Sequence, residues 1–239
     1  MNEKIVSKAN ARVKELCALR DHPSPTSFLI EGKHMVDMAY EHRVLDEVIA
    51  CIPVSYPGIK TLSVSEEVLA KIASSKTPSG ILGVAHAPKS EAVGDALILD
   101  RVQDPGNVGT LLRSALSFGF KDIYFLPGTA SPFSSKALAS SQGAIFAVKI
   151  HMATDFKAVL FELSKQGCRV LGTSLRGALP ISTYKRPDSK IALVLGNEGR
   201  GVSEEILSSC DEKLFIEMEE MESLNVGVAG GIAMYLLRK

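Results

Sequence analysis

A chain of 239 residues holds one large domain or two small ones, and its 46% apolar content is enough for a core. Its 27 basic and 27 acidic residues balance, which argues against a protein that binds nucleic acid over its whole surface. No apolar run approaches the roughly 20 residues of a membrane span, and the first residues lack the apolar stretch of a signal peptide, so the cytoplasm is the expected compartment.

Residues 4–20 have Ile5, Ala9, Val13, Leu16 and Leu19 near helical spacing and predict a helix. The stretch 21–27, with two prolines and three small polar residues, is a loop. Strands are predicted at 28–32, 45–51, 59–64 and 80–86. Helices are predicted at 33–42 and at 65–73, the latter capped by Ser65. This alternation describes a small α/β domain over residues 1–88, and the polar stretch 89–95 reads as a linker. A second α/β series fills 96–239, with strands at 96–100, 122–126, 146–150, 169–172, 191–195 and 213–216. Short apolar runs between helices predict a mostly parallel sheet. The last helix has Leu224, Val228, Gly231, Ile232 and Tyr235 at helical spacing. Gly227, Gly230 and Gly231 inside it each cost about 1 kcal/mol against alanine, which calls for close approach of a neighbour.

Charge is uneven along the chain. Residues 1–20 carry five basic and two acidic groups, whereas 204–222 carry eight acidic groups against Lys213. Cys17, Cys51, Cys168 and Cys210 form no C-x-x-C pair and no zinc-type cluster, so they are expected to be reduced and mostly buried, and no metal is expected.

Three polar segments stand directly after predicted strands: Asp104 to Arg113, Gly196 to Gly201, and Glu222 to Asn225. In open α/β sheets ligands bind beyond the carboxyl ends of the strands, so the three are expected to converge on one pocket, with Thr173 and Ser174 as a further wall. Asn107 is placed to cap the helix after the first segment. Val108, Leu111, Leu112, Ala115 and Leu116 form its apolar stripe, and Arg113 lies well off it. Other signatures fail. Gly196-x-x-Gly199-x-Gly201 reverses the dinucleotide spacing, and Gly167-x-x-x-x-Gly172 is followed by Thr173 where a phosphate loop needs lysine.

The three segments in this order resemble the SpoU (TrmH-like) family of RNA ribose 2′-O-methyltransferases. Asn107-x-Gly109-x-x-x-Arg113 resembles its first motif, and Leu193-Val-Leu-Gly196-Asn197-Glu198-Gly199-x-Gly201 its second. Ile216-x-Met218 with Glu222-Ser223-Leu224-Asn225-Val226 resembles its third. Glu217 stands where the family usually has proline, and Gly227 where it usually has serine. Asn10-x-x-Val13-Lys14-x-Leu16, Phe28 to Gly32 and Thr77-Pro-Ser-Gly80-Ile resemble the family's N-terminal RNA-binding domain, itself similar to a ribosomal-protein fold.

The resemblance implies a fold that general topology rules would exclude: a parallel α/β sheet whose C-terminal segment makes a deep trefoil knot. It also implies a homodimer and S-adenosylmethionine as cofactor. The site residues it implies are Arg113, Asn107, Glu198, Ser223 and Asn225 for catalysis. Thr173, Leu195, Gly196, Ile216, Met218 and Leu224 would hold the cofactor. The implied substrate is RNA, with rRNA favoured over tRNA because of the N-terminal domain. A tRNA enzyme and a non-catalytic RNA-binding relative are the alternatives.

Overall fold

A computed structural model describes residues 4–88, 94–221 and 223–239. They form two compact units. One contains residues up to 89 together with 132–147, and the other contains 90–131 and 148–239.

The N-terminal unit carries α1 (Ala11–Asp21), β1 (Phe28–Glu31), α2 (Lys33–Glu41), β2 (Leu45–Ala50), β3 (Lys60–Ser63), α3 (Glu66–Ile72) and β4 (Ile81–Ala85). Its strands pair in the order β1-β4-β2-β3; β4 runs antiparallel to both neighbours and β2 runs parallel to β3. Val13, Leu16, Ile49, Val68, Leu69, Ile72 and Leu82 form its core. Ser65 caps α3 by accepting from the Val68 N–H, as its position predicts. The first helix is shorter than the spacing suggests. Asn10 Oδ1 accepts from the Arg12 N–H at 2.8 Å and starts α1 there, while Ile5 forms a parallel bridge with Val64. A side-chain cap and a strand contact outweigh the helical spacing of residues 4–10.

Between β5 (Asp95–Leu99) and the C-terminus lie α4 (Pro105–Ser117), β6 (Phe120–Phe125), α5 (Ser135–Ser141), β7 (Lys149–Met152), α6 (Phe156–Lys165), β8 (Arg169–Thr173), β9 (Leu179–Pro180), β10 (Ile191–Leu195), α7 (Glu204–Leu207), β11 (Glu212–Phe215) and α8 (Val226–Leu237). Seven strands form one sheet in the order β7-β6-β5-β10-β8-β11-β9, and every pairing is parallel. The central strands β5 and β10 are buried along their whole length, and apart from Asp95 they are the unbroken apolar runs that a parallel sheet covered on both faces requires.

The strand expected at 146–150 forms later, at 149–152. Gly143 takes a left-handed φ of 87° and starts a 3-10 turn over Ala144–Phe146, and Phe146 stacks near Phe28 in the N-terminal unit. Of the expected linker, 89–93 lie outside the described residues. Asp95 is the first residue of β5: it is buried, it accepts from the backbone N–H of Ile191, and it pairs with both terminal nitrogens of Arg186. All four cysteines are free, Cys168 is buried and the others are half-buried. No described helix is long and apolar enough to cross a membrane.

Candidate active site

Because the sheet is parallel, the segments after β5, β10 and β11 leave it at the same edge. After β5 the chain enters α4. The cap is Asp104, whose Oδ1 accepts from the Gly106 N–H at 2.9 Å, followed by Pro105. Asn107, expected as the cap, therefore lies inside the first turn. The Asp-Pro-Gly start suits a cap-plus-proline entry better than a cap three residues later. This frees the Asn107 amide to reach across, and its Nδ2 donates to Glu198 Oε1 at 3.0 Å.

The segment after β10 is a tight turn. Asn197 and Gly201 exchange backbone hydrogen bonds at 3.1 and 2.8 Å, and Asn197 Oδ1 accepts from the Gly199 and Arg200 N–H groups. Gly201 needs its φ of +68°. Gly196 has no room for a side chain, since a Cβ there would lie 2.1 Å from the backbone of Gly201 and Val202. The turn turns Glu198 towards α4. Its Oε2 accepts from the Gln103 N–H and its Oε1 from the Asp104 N–H, each at 3.2 Å. Burial pushes the Glu198 carboxyl up, but the hydrogen bonds from Asn107 and from backbone N–H groups outweigh it and hold it below the usual glutamate value. A carboxylate held by three donors in this way is a weaker base than a free glutamate and serves as an anchor.

After β11 the chain reaches α8. Asn225 caps it, with Oδ1 accepting from the Gly227 N–H at 2.9 Å and the Val228 N–H at 3.2 Å. Its Nδ2 donates to Asn107 Oδ1 at 3.0 Å. Glu198, Asn107 and Asn225 thus form one chain of hydrogen bonds joining all three segments.

The buried side of α8 is not the one its spacing suggests. Val228, Ile232 and Tyr235 are exposed, and the buried residues are Val226, Gly227, Gly230, Ala233, Met234 and Leu237. The glycines decide the matter. A Cβ on Gly230 would lie 2.3 Å from Leu111 Cδ2 and 2.6 Å from Leu195 Cδ1, so α8 lies against α4 and β10 along its smallest residues. Gly227 is a milder case, with Asn225 Oδ1 at 3.1 Å, and Gly231 meets nothing nearer than Ser114 Oγ at 3.5 Å.

A cleft of about 650 Å³ opens beside these segments. Thr173, Leu195, Gly196, Ile216, Met218 and Leu224 all line it, and so do Glu198 and Ser223. Thr173 Oγ1 donates to the Val194 carbonyl at 3.0 Å. Asn107 and Asn225 stand behind this lining through Glu198. Arg113 is exposed on α4, does not line the cleft, and makes no side-chain hydrogen bond or ion pair among the described residues.

Residues 95–235 match the model of the SpoU rRNA methylase family, more than half of the chain. The chain belongs to that family. It is an RNA methyltransferase by this membership. Along its whole length it is 32% identical to the 23S rRNA (guanosine(2553)-2′-O)-methyltransferase RlmP of Bacillus subtilis, with 99% of each chain covered. Among solved structures, it is similar to an AdoMet-bound rRNA methyltransferase from Sinorhizobium meliloti (25% identity, TM-score 0.85, 98% of this chain and 97% of that one covered). It is also similar to a putative TrmH-family RNA methyltransferase from Porphyromonas gingivalis (28% identity, TM-score 0.84, 97% and 99% covered).

Two contributors to this SpoU-family site lie beyond the site residues the sequence implies: Asp100, outside the motifs, and Asn197, inside the second. Asp100, buried at the end of β5, binds the Arg101 guanidinium at 2.8 Å and accepts from the Ser203 N–H at 3.0 Å. It pins Ser203, the residue that leads from the Gly196–Gly201 turn into α7. An aspartate ending an apolar strand was the available signal. Asn197 shapes the turn itself, its Nδ2 donating to the Arg101 carbonyl at 3.0 Å. Its signal was asparagine at the start of a glycine-rich turn.

Proposed function

We propose that this protein transfers a methyl group from S-adenosylmethionine to a ribose 2′-hydroxyl of 23S rRNA. The observation that carries this reading is the hydrogen-bonded chain Glu198–Asn107–Asn225 at the edge of the cleft, which ties the three motif segments into one site. The cleft fits the cofactor. Its wall at Leu195, Ile216 and Met218 suits an adenosine, and its volume suits a molecule of that size. Leu195, Gly196, Ile216, Met218, Leu224 and Thr173 would hold it. When bound, S-adenosylmethionine supplies an electrophilic methyl on a sulfonium.

A ribose hydroxyl is a poor nucleophile while it keeps its proton. A guanidinium is a poor general base, so Arg113 acts on charge: it stabilises the developing alkoxide and orients the neighbouring phosphate. Asn107, Glu198 and Asn225 fix the first turns of α4 and α8, and Ser223 completes the wall. Positioning supplies much of the remaining rate.

The working unit is a homodimer. Val228 at 52% and Tyr235 at 49% exposure, with Ile232, give α8 an apolar face turned to solvent, and Arg113 lies outside its own cleft. A second copy laid on that face would cover it and bring Arg113 to the partner's cleft. The C-terminal segment would thread a loop to make the trefoil knot. The glycine seam of α8 against α4 and β10 supports such tight threading.

The match over 99% of the chain to an enzyme named for 23S rRNA supports rRNA. The likeness to a protein of tRNA 2-OH methylation spans only 59% of this chain. The test is methyl transfer from labelled cofactor into unmodified 23S rRNA, tRNA and a DNA of matching sequence. Label in 23S rRNA alone is expected, since DNA lacks the acceptor hydroxyl. Label in tRNA alone, or in DNA, contradicts the reading.

A further inference from the structure

The C-terminal unit holds seven arginines. Four are engaged within it: Arg101 with Asp100 at 2.8 Å, Arg169 with Glu212 at 3.5 Å, Arg186 with Asp95 at 2.8 Å, and Arg238 over the Tyr235 ring at 3.6 Å. Arg113, Arg176 and Arg200 make no side-chain hydrogen bond or ion pair among the described residues. Arg176 and Arg200 are both exposed and both line the mouth of the cleft.

Their backbones are held. Arg200 sits on the turn that Asn197 closes, with its own N–H donating to Asn197 Oδ1 at 3.1 Å. Arg176 follows β8 in a turn where Ser174 Oγ accepts its N–H at 3.1 Å and donates to its carbonyl at 3.1 Å. Exposed Leu175, at 62%, and Leu224, at 38%, line the same mouth. Of the two acidic residues in that lining, Glu198 is taken up by three donors and Glu204 lies in the first turn of α7, where a negative charge is favoured.

We infer that Arg176 and Arg200 form a phosphate clamp at the cleft mouth, binding the RNA backbone beside the nucleotide to be methylated, with exposed Leu175 as the apolar surface for its sugar or base. The inference rests on the RNA reading of this site and names Arg176, outside the three motifs, and Arg200, at the open position of the second. Guanidinium groups that are free, held on fixed turns and placed beside apolar side chains match the two halves of a nucleotide, phosphate and ring. They do not match the cofactor. S-adenosylmethionine carries a sulfonium, an ammonium and one carboxylate, so it is net cationic, and a doubly cationic rim disfavours it while drawing in phosphodiesters.

The test uses the full-length protein with Arg176→Gln, Arg200→Gln, the double variant and Lys165→Gln, a charge-matched control that does not line the cleft. Two quantities are read: the Kd for unmodified 23S rRNA over a range of salt, and the Kd for S-adenosylmethionine. Each cleft variant is expected to weaken RNA binding about fivefold or more and to flatten the salt dependence by about one phosphate contact, with cofactor binding within twofold of wild type. Lys165→Gln should change neither. RNA binding equal to wild type in the double variant overturns the clamp, and so does a loss confined to cofactor binding, which would assign the arginines to the cofactor carboxylate. These readouts need no turnover. A wild type that binds rRNA through these arginines but never methylates it sinks the proposed reaction and leaves the clamp standing.

Discussion

Asn225 Nδ2 lies 3.0 Å from Asn107 Oδ1, so two side chains 118 positions apart in the sequence join the first turns of α4 and α8. Each amide has a second duty: Asn107 donates to Glu198, and Asn225 caps α8. Replacing Asn225 with alanine removes the cap and the link together. Loss of the cap is expected to cost about 1 kcal/mol in denaturant unfolding. Asn107→Ala caps nothing, so it should leave stability nearer wild type while cutting turnover at least tenfold. Equal turnover of Asn107→Ala and wild type would show that the link is structural only.

The glycines of α8 separate packing from helix propensity. Gly230→Ala places a methyl 2.3 Å from Leu111 Cδ2 and should destabilise the protein by about 1–3 kcal/mol despite alanine's better propensity. Gly231→Ala meets only Ser114 Oγ at 3.5 Å and should stabilise by up to about 1 kcal/mol. Thermal unfolding of the two variants should move in opposite directions.

Acid stability of the N-terminal unit should depend on Glu47. Burial pushes its carboxyl up, and hydrogen bonds from Arg12 and Lys60 outweigh burial, so the folded value lies below the ordinary 4.5. A depressed carboxylate stabilises the fold above pH 4.5 and loses that contribution as pH falls through its folded value. Glu47→Gln is expected to lower stability at pH 7 and to narrow its gap to wild type as pH falls below 4.5. Denaturant unfolding at pH 3 to 7 reads this directly, and a constant gap across that range would contradict it.

If a second copy covers the exposed face of α8, a charge there should separate the subunits. Ile232→Asp is expected to sediment as a monomer and to lose methyl transfer while keeping cofactor binding. A wild type that is monomeric at micromolar concentration would remove the dimer, and with it the placement of Arg113 in a partner's cleft.

Much of the architecture was legible because short apolar runs such as Ile191–Leu195 have few alternatives to a buried parallel strand. The six residues that the resemblance implies for the cofactor all line one cleft, because strand ends in a parallel sheet share an edge. What escaped depended on partners distant in sequence. Helical spacing marks an apolar stripe on α8 but cannot say whether the chain itself or another surface covers it. The buried side was chosen by Gly230, whose missing Cβ admits Leu111 and Leu195. Asn107 reads as a cap because asparagine caps helices, yet Asp104-Pro105 claims that role first. Asp95, placed in a linker by its polar neighbours, is buried because Arg186, far along the chain, meets it.

Arg113 is the centre of the proposed mechanism, and one comparison tests it most directly. Single-turnover methyl transfer into unmodified 23S rRNA would be measured for wild type and Arg113→Ala, alongside each protein's Kd for S-adenosylmethionine. Loss of one preorganised charge at a developing alkoxide should slow transfer about 100-fold or more, with cofactor affinity within twofold. Equal transfer rates in the two proteins would contradict the assignment of Arg113 and move the search for the activating group elsewhere in the site.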